Sequence, residues 1–179
     1  MIQKYFLSLE TCPVEKEVVE NIKNEVQKKL ILPNPINRVK QHASHVTLGI
    51  MQFSPSEELE TAKLIEEVLQ DFTDLKAVDL TKYNAFKDAD GKTVTIPLEP
   101  VSKHEKQLIN INQKLKEKLT DKFKSDAFGY QPHLTLFQAT ESAPLPSLTP
   151  QDLQICSTDS LHISEEGTTF EPDTKLRLI

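Results

Sequence analysis

One short segment occurs twice in this chain. Residues 45–50 read His45-Val46-Thr47-Leu48-Gly49-Ile50, and residues 133–137 read His133-Leu134-Thr135-Leu136-Phe137. Apolar residues alternate with others, the pattern of a strand with one face against a core. Val46, Leu48 and Ile50 are expected on the core face of the first copy, and Leu134 and Leu136 on that of the second. His45 and Thr47 then share the opposite face, as do His133, Thr135 and Phe137. Each strand offers an imidazole and a hydroxyl side by side from a rigid element. Two such strands brought together make a site of two histidines and two threonines.

The surroundings repeat as well. A strand at 2–10 and a helix at 14–32 precede the first motif. The helix carries Val14, Val18, Ile22, Val26 and Leu30 at intervals of four and is ended by Pro33 and Pro35. A strand at 92–98 and a helix at 102–124, with Leu108, Ile111, Leu115, Leu119 and Phe123 on one face, precede the second. The two histidines stand 88 positions apart. The arrangement reads as a duplication whose halves pack about a pseudo-twofold axis, pointing both His-x-Thr pairs into one cleft. Between the halves, Ser54-Pro55-Ser56-Glu57 is a capping box opening a helix with Leu59, Ala62, Ile65, Leu69 and Phe72 buried. A strand at 76–87 and an Asp88–Gly91 turn follow. Ser102 and Glu105 suggest a second capping box. A Pro/Ser-rich loop at 142–150 and strands near 158–164 and 174–179 close the chain. The expected fold is α+β: a duplicated β-α-β, two-lobed domain over residues 1–179. Two antiparallel-type sheets flank a central cleft, with helices outside. The lobes run roughly 1–87 and 88–179, with the closing strands able to cross between them.

Other features set bounds. His42-Ala43-Ser44 and His162-Ile163-Ser164 also fit His-x-Ser. The first lies in a loop without apolar alternation, and the second has no partner at the repeat offset. His104, at a helix start, is expected to be solvated. Asp88-Ala89-Asp90-Gly91 lacks the further carboxylates and late Glu of a calcium loop. Cys12 and Cys156 form no CxxC pair or disulfide framework and are expected as separate thiols in a reducing cytoplasm. No run approaches the roughly 20 apolar residues of a membrane span. A net charge of −6 argues against a broad surface for long nucleic acid, but not against a local pocket for a small anion.

His45-Val46-Thr47-Leu48 and His133-Leu134-Thr135-Leu136 resemble the signature of the two-histidine (2H) phosphoesterases, which include the 2′-5′ RNA ligase-like proteins: two copies of His-h-Thr/Ser-h, with h apolar. Pro132 before the second histidine fits the common Pro-His-h-Thr-h form, and the order of strands and helices fits along nearly the whole chain. Phe137-Gln138 stand where family members often carry Arg or Lys.

Two imidazoles facing each other suit general acid–base catalysis, one taking a proton while the other gives one. A phosphodiester, above all a 2′,3′-cyclic phosphate, fits such a pair. The threonine hydroxyls can donate to its non-bridging oxygens as charge grows. The histidines handle the protons, so neither metal nor cofactor is required. The resemblance implies the same mechanism: hydrolysis of 2′,3′-cyclic phosphates or of 2′-5′-linked, including cyclic, oligonucleotides. His133 is taken as base and His45 as acid for ring opening. Phe137 is expected as one cleft wall, with Gly49 leaving room opposite. Tyr130 is expected to touch a nucleotide and Lys40 a phosphate. The partner is then a small nucleotide or short oligonucleotide, with no long duplex and no membrane, the protein acting as a cytoplasmic monomer. Three readings compete: a non-catalytic nucleotide-binding module, a 2′-5′ RNA ligase running the reverse reaction, and a zinc hydrolase. Retention of all four motif residues speaks against the first. The last needs a third ligand and a carboxylate base, for which no HExxH-type spacing is present.

Overall fold

The computed structural model describes residues 1–11, 13–32, 38, 44–72, 77–125, 129–156, 161–164 and 177–178. β1 (Gln3–Glu10), α1 (Pro13–Lys29) and β2 (His45–Phe53) form one unit, and β5 (Thr93–Pro100), α3 (Ser102–Leu119) and β7 (Leu134–Gln138) repeat it. α2 (Glu58–Gln70), β3 (Ala77–Tyr83) and β4 (Phe86–Lys87) lie between the units, and β6 (Phe123–Lys124) follows α3. α4 (Pro150–Gln154), β8 (Leu161–Ser164) and β9 (Arg177–Leu178) close the chain.

The expected α+β class with antiparallel strands is what forms. The strands run in the order β8-β3-β5-β7-β2-β1-β9, with β4 beside β5 and β6 beside β2. Outward from the β7–β2 junction the order is symmetric: each motif strand is followed by the opening strand of its own unit, then by a third strand. The symmetry extends to a defect. The β1–β2 register shifts between Leu7 and Ser8, and the β5–β7 register shifts between Ile96 and Pro97. Both are β-bulges, one extra residue on the motif strand directly after the threonine.

The helices cross the junction. α1 packs against β7 and β8, and α3 against β2 and β5. In α1 the buried side chains are Glu15, Val19, Ile22, Lys23 and Val26, while Val14 is exposed. The expected stripe at intervals of four drifts by roughly 40° per turn against the 3.6-residue helix, so its first member rotates out to solvent. Leu59, set two steps of three before Ile65, each lagging the helix by about 60°, leaves the α2 face, and Thr61 and Val68 join it. The α3 stripe, Leu108, Ile111, Leu115 and Leu119, is buried as expected. That helix stops at Leu119 rather than near 124. Thr120 follows with φ +49, and Phe123 belongs to β6.

The capping box at Ser54 and Glu57 forms, the Ser54 amide donating to the Glu57 carboxylate at 2.9 Å. The expected box at Ser102 does not. The helix starts with Ser102 already inside it, Val101 holds the cap position, and Glu105 instead pairs with Lys82 at 3.6 Å. His104 is not simply solvated: its Nδ1 accepts from the Asp79 amide at 2.8 Å, tying α3 to β3. Among the described residues no helix is long and apolar enough to cross a membrane.

Candidate active site

The antiparallel pairing of β2 with β7 sets Val46 across from Leu134. Those two side chains point into the core and are fully buried. The same register puts His45 across from Thr135 and Thr47 across from His133, on the other face. Strand geometry sets these four groups at the corners of a patch about 5 Å by 7 Å. All four are half-buried. Among the described residues neither threonine hydroxyl has a hydrogen-bond partner.

The bulges fix where the residues after each motif point. In a regular strand Gly49 and Phe137 stay on the histidine face. The extra residues Leu48 and Leu136 break the alternation, so in each copy the next residue is buried too. Phe137 is therefore a core residue with no exposed surface and not the cleft wall expected of it. Ile50, expected in the core, lines a cleft instead.

His133 is held from two sides. Its Nδ1 lies 2.8 Å from the Gln131 carbonyl. A carbonyl only accepts, so Nδ1 carries the proton and the lone pair is left on Nε2. The ring of Phe86 meets the imidazole edge-on, 4.9 Å between centroids at 82°. The Gln131 side chain donates to Glu99 at 3.0 Å, and Glu99 also accepts from Asn84 at 2.6 Å. The first motif is seated by Thr11, whose hydroxyl donates to the Ser44 carbonyl at 3.0 Å.

A cleft of about 380 Å³ opens beside Thr47 and His133, within the size range of small-molecule sites. Its floor is β2 past the bulge. β6 and one stripe of α3 (Ile109, Asn112, Gln113, Lys116) form its sides. Asn112 donates to the Leu48 carbonyl at 2.7 Å and Tyr130 to the Thr47 carbonyl at 2.8 Å, so helix and loop are bolted to the motif strand. Tyr130 lines the cleft, and burial pushes its phenol well above the usual range, keeping it a donor. His45 and Thr135 are at the next step of the same face, outside this cleft.

The mirror position is filled. Gly49 lines the open cleft, and its counterpart Phe137 is packed away in the core. Arg38 bridges to Phe137 much as β6 pairs with β2. It is neutralised by Glu20 at 2.7 Å, which also meets the fully buried Lys23 at 3.4 Å. The open side depends on Gly49: a Cβ there would stand 2.8 Å from Phe123 Cε2. Gly49→Ala should push Phe123 into the cleft, costing about 1–3 kcal/mol of stability as an overpacked site does, read by urea denaturation. Unchanged stability would mean the ring moves without resistance.

Lys40, His42 and Cys12 lie outside the described residues. His162 is on β8 at the far edge of the sheet, away from the junction. Among the described residues no three His, Cys, Asp or Glu side chains gather as metal ligands. The sequence reading missed Phe86, Asn112, Lys116 and Lys124. Ile109 was the available signal, an apolar residue beside the buried stripe of α3 and 41% exposed.

Known proteins share this architecture. Escherichia coli LigT, solved in complex with 3′-AMP, superposes with a TM-score of 0.58 at 19% identity over 91% of this chain and 84% of LigT. LigT in complex with phosphate gives 0.53 at 16% over 99% and 93%. The protein TT0787 of Thermus thermophilus gives 0.51 at 13% over 98% and 94%. At such identities the likeness is one of fold. Among curated proteins none matches in sequence. Residues 14–154 match the family described as the 2′-5′ RNA ligase superfamily. With that match spanning both His-x-Thr strands, the chain belongs to the 2′-5′ RNA ligase superfamily of two-histidine phosphoesterases.

Proposed function

We propose that the protein is a metal-independent phosphodiesterase acting on 2′,3′-cyclic phosphates or short 2′-5′-linked oligonucleotides. The observation that carries this reading is the register of Val46 against Leu134, which gathers two imidazoles and two hydroxyls on one face. His133 is the base. With its Nδ1 proton given to the Gln131 carbonyl, its Nε2 lone pair is available to take the proton of an attacking water. His45, across from Thr135, protonates the leaving oxygen. Thr47 and Thr135 donate to the non-bridging oxygens as their charge grows. A small nucleotide as ligand agrees with LigT, which was solved with 3′-AMP and with ATP.

The test is a panel of 2′,3′-cyclic nucleotides and of 2′-5′- and 3′-5′-linked oligonucleotides, with product analysis. Turnover of a cyclic phosphate or a 2′-5′ linkage is expected, and it should persist in excess EDTA. Loss of turnover in EDTA with recovery on adding zinc or manganese would sink the acid–base scheme. No turnover of any member would sink the phosphodiesterase reading.

A further inference from the structure

The chain carries 27 acidic and 21 basic side chains, yet among the described residues no aspartate or glutamate lines the cleft beside His133, while Lys116 and Lys124 do. The neighbouring lysines are neutralised: Lys114 lies 3.9 Å from Asp71, Lys118 2.7 Å from Glu67 and Lys122 3.2 Å from Glu57. Among the described residues neither Lys116 nor Lys124 has a carboxylate partner. On the mirror side Arg38 is matched by Glu20. Among the described residues, the basic side chains at the open cleft are thus without a carboxylate, while Arg38 on the mirror side has one. Phe6, Ile50, Ile109 and Phe123 add apolar surface to the same walls, and low-dielectric walls focus the field of the lysines into the cleft.

The spacing narrows the ligand. Lys124 faces Ile50 across the β2–β6 pairing, three residues along the strand from Thr47, or about 10 Å. A phosphate held by the histidines and threonines does not reach that far. The next phosphate of the same nucleotide or strand does, with sugar and base lying on the apolar walls between. We infer that the cleft is a second-phosphate subsite, in which Lys116 and Lys124 hold an anion one nucleotide unit from the motif face. The ligand class is then a nucleotide with two separate phosphates rather than a nucleoside monophosphate. This rests on the phosphodiesterase reading only for the phosphate assigned to the motif face.

Calorimetric binding of adenosine 2′,5′-bisphosphate and adenosine 2′-monophosphate tests it without any turnover. The bisphosphate should bind about tenfold or more tightly at low salt, the gain of one charge-assisted contact, and the advantage should shrink as salt rises. Lys116→Gln/Lys124→Gln should abolish the advantage and flatten the salt dependence. Lys114→Gln/Lys118→Gln makes the same charge change toward α2 and should preserve it. Equal affinities in the wild type, or an advantage that survives in the first variant, would overturn the subsite. An advantage lost equally in the second variant would also overturn it, reducing the effect to net charge. The two proposals fail separately. A bisphosphate advantage in a protein that cleaves no diester leaves the subsite standing and removes the phosphodiesterase. Turnover without the advantage does the reverse.

Discussion

Replacing His133 by alanine should lower kcat/KM on a cleaved substrate by about 10²–10⁴-fold. The imidazole sits beside the cleft, bonded to the Gln131 carbonyl and flanked by Phe86. It is half-buried and makes no part of the apolar core, so the fold should survive its loss, as circular dichroism would verify. His45→Ala should cost a similar factor. The double variant should be little worse than the worse single one, because acid and base act as a unit. The roles separate by leaving group. A nitrophenyl phosphodiester needs little protonation to depart, so it should rescue His45→Ala and leave His133→Ala slow. Rescue of His133→Ala instead would reverse the assignment. Because one imidazole must be neutral while the other is protonated, kcat/KM should pass through a maximum with pH and lose one limb in each single variant. Near wild-type rates in either variant would end the two-histidine mechanism.

Thr47→Ala and Thr135→Ala should each lower kcat by about 10²-fold, the loss typical of a donor to a developing oxyanion. Each threonine lies across from a histidine, and among the described residues neither hydroxyl has a partner. Removing it leaves no buried group unsatisfied, so stability should be almost unchanged. The comparison with serine is the sharper measurement. Serine keeps the hydroxyl and should retain most of the rate, whereas valine keeps the shape and should not. If valine matched wild type at both positions, the threonines would be packing residues and the phosphate would be held by other groups.

The face shared by the two His-x-Thr pairs was legible because it depends on period alone. In a strand the parity of a position fixes its side, so His-x-Thr had to present both groups together wherever the strand lay. Phe137 was misplaced because parity fails at a bulge, and a bulge belongs to the pairing of two strands rather than to either one. Nothing local to Leu136 announces that it will be the extra residue. The α1 stripe erred at its first residue, where small departures from 3.6 accumulate. The lysines of the cleft were out of reach for another reason. Helix spacing sets Lys114 and Lys118 on one flank of α3 and Lys116 on the other, but does not say which flank meets carboxylates. Only the packing of α2 on one side and β6 on the other pairs two of them with carboxylates and leaves the third on the wall of the cleft.

Each motif strand packs against the helix of the other half, β7 against α1 and β2 against α3. A chain of half this length, built the same way, would leave its motif strand and part of its helix uncovered. It could bury both by exchanging helices with a second copy, and the site would then fall on the axis of a symmetric dimer. Such a dimer must use identical residues on both sides of that axis. Fusion into one chain lifts that requirement. One copy can keep a glycine after its threonine and open a pocket, while the other fills the equivalent place with phenylalanine. Gly49 and Phe137 are such a pair, and a molecule seated beside Gly49 would find no equivalent seat beside the buried Phe137.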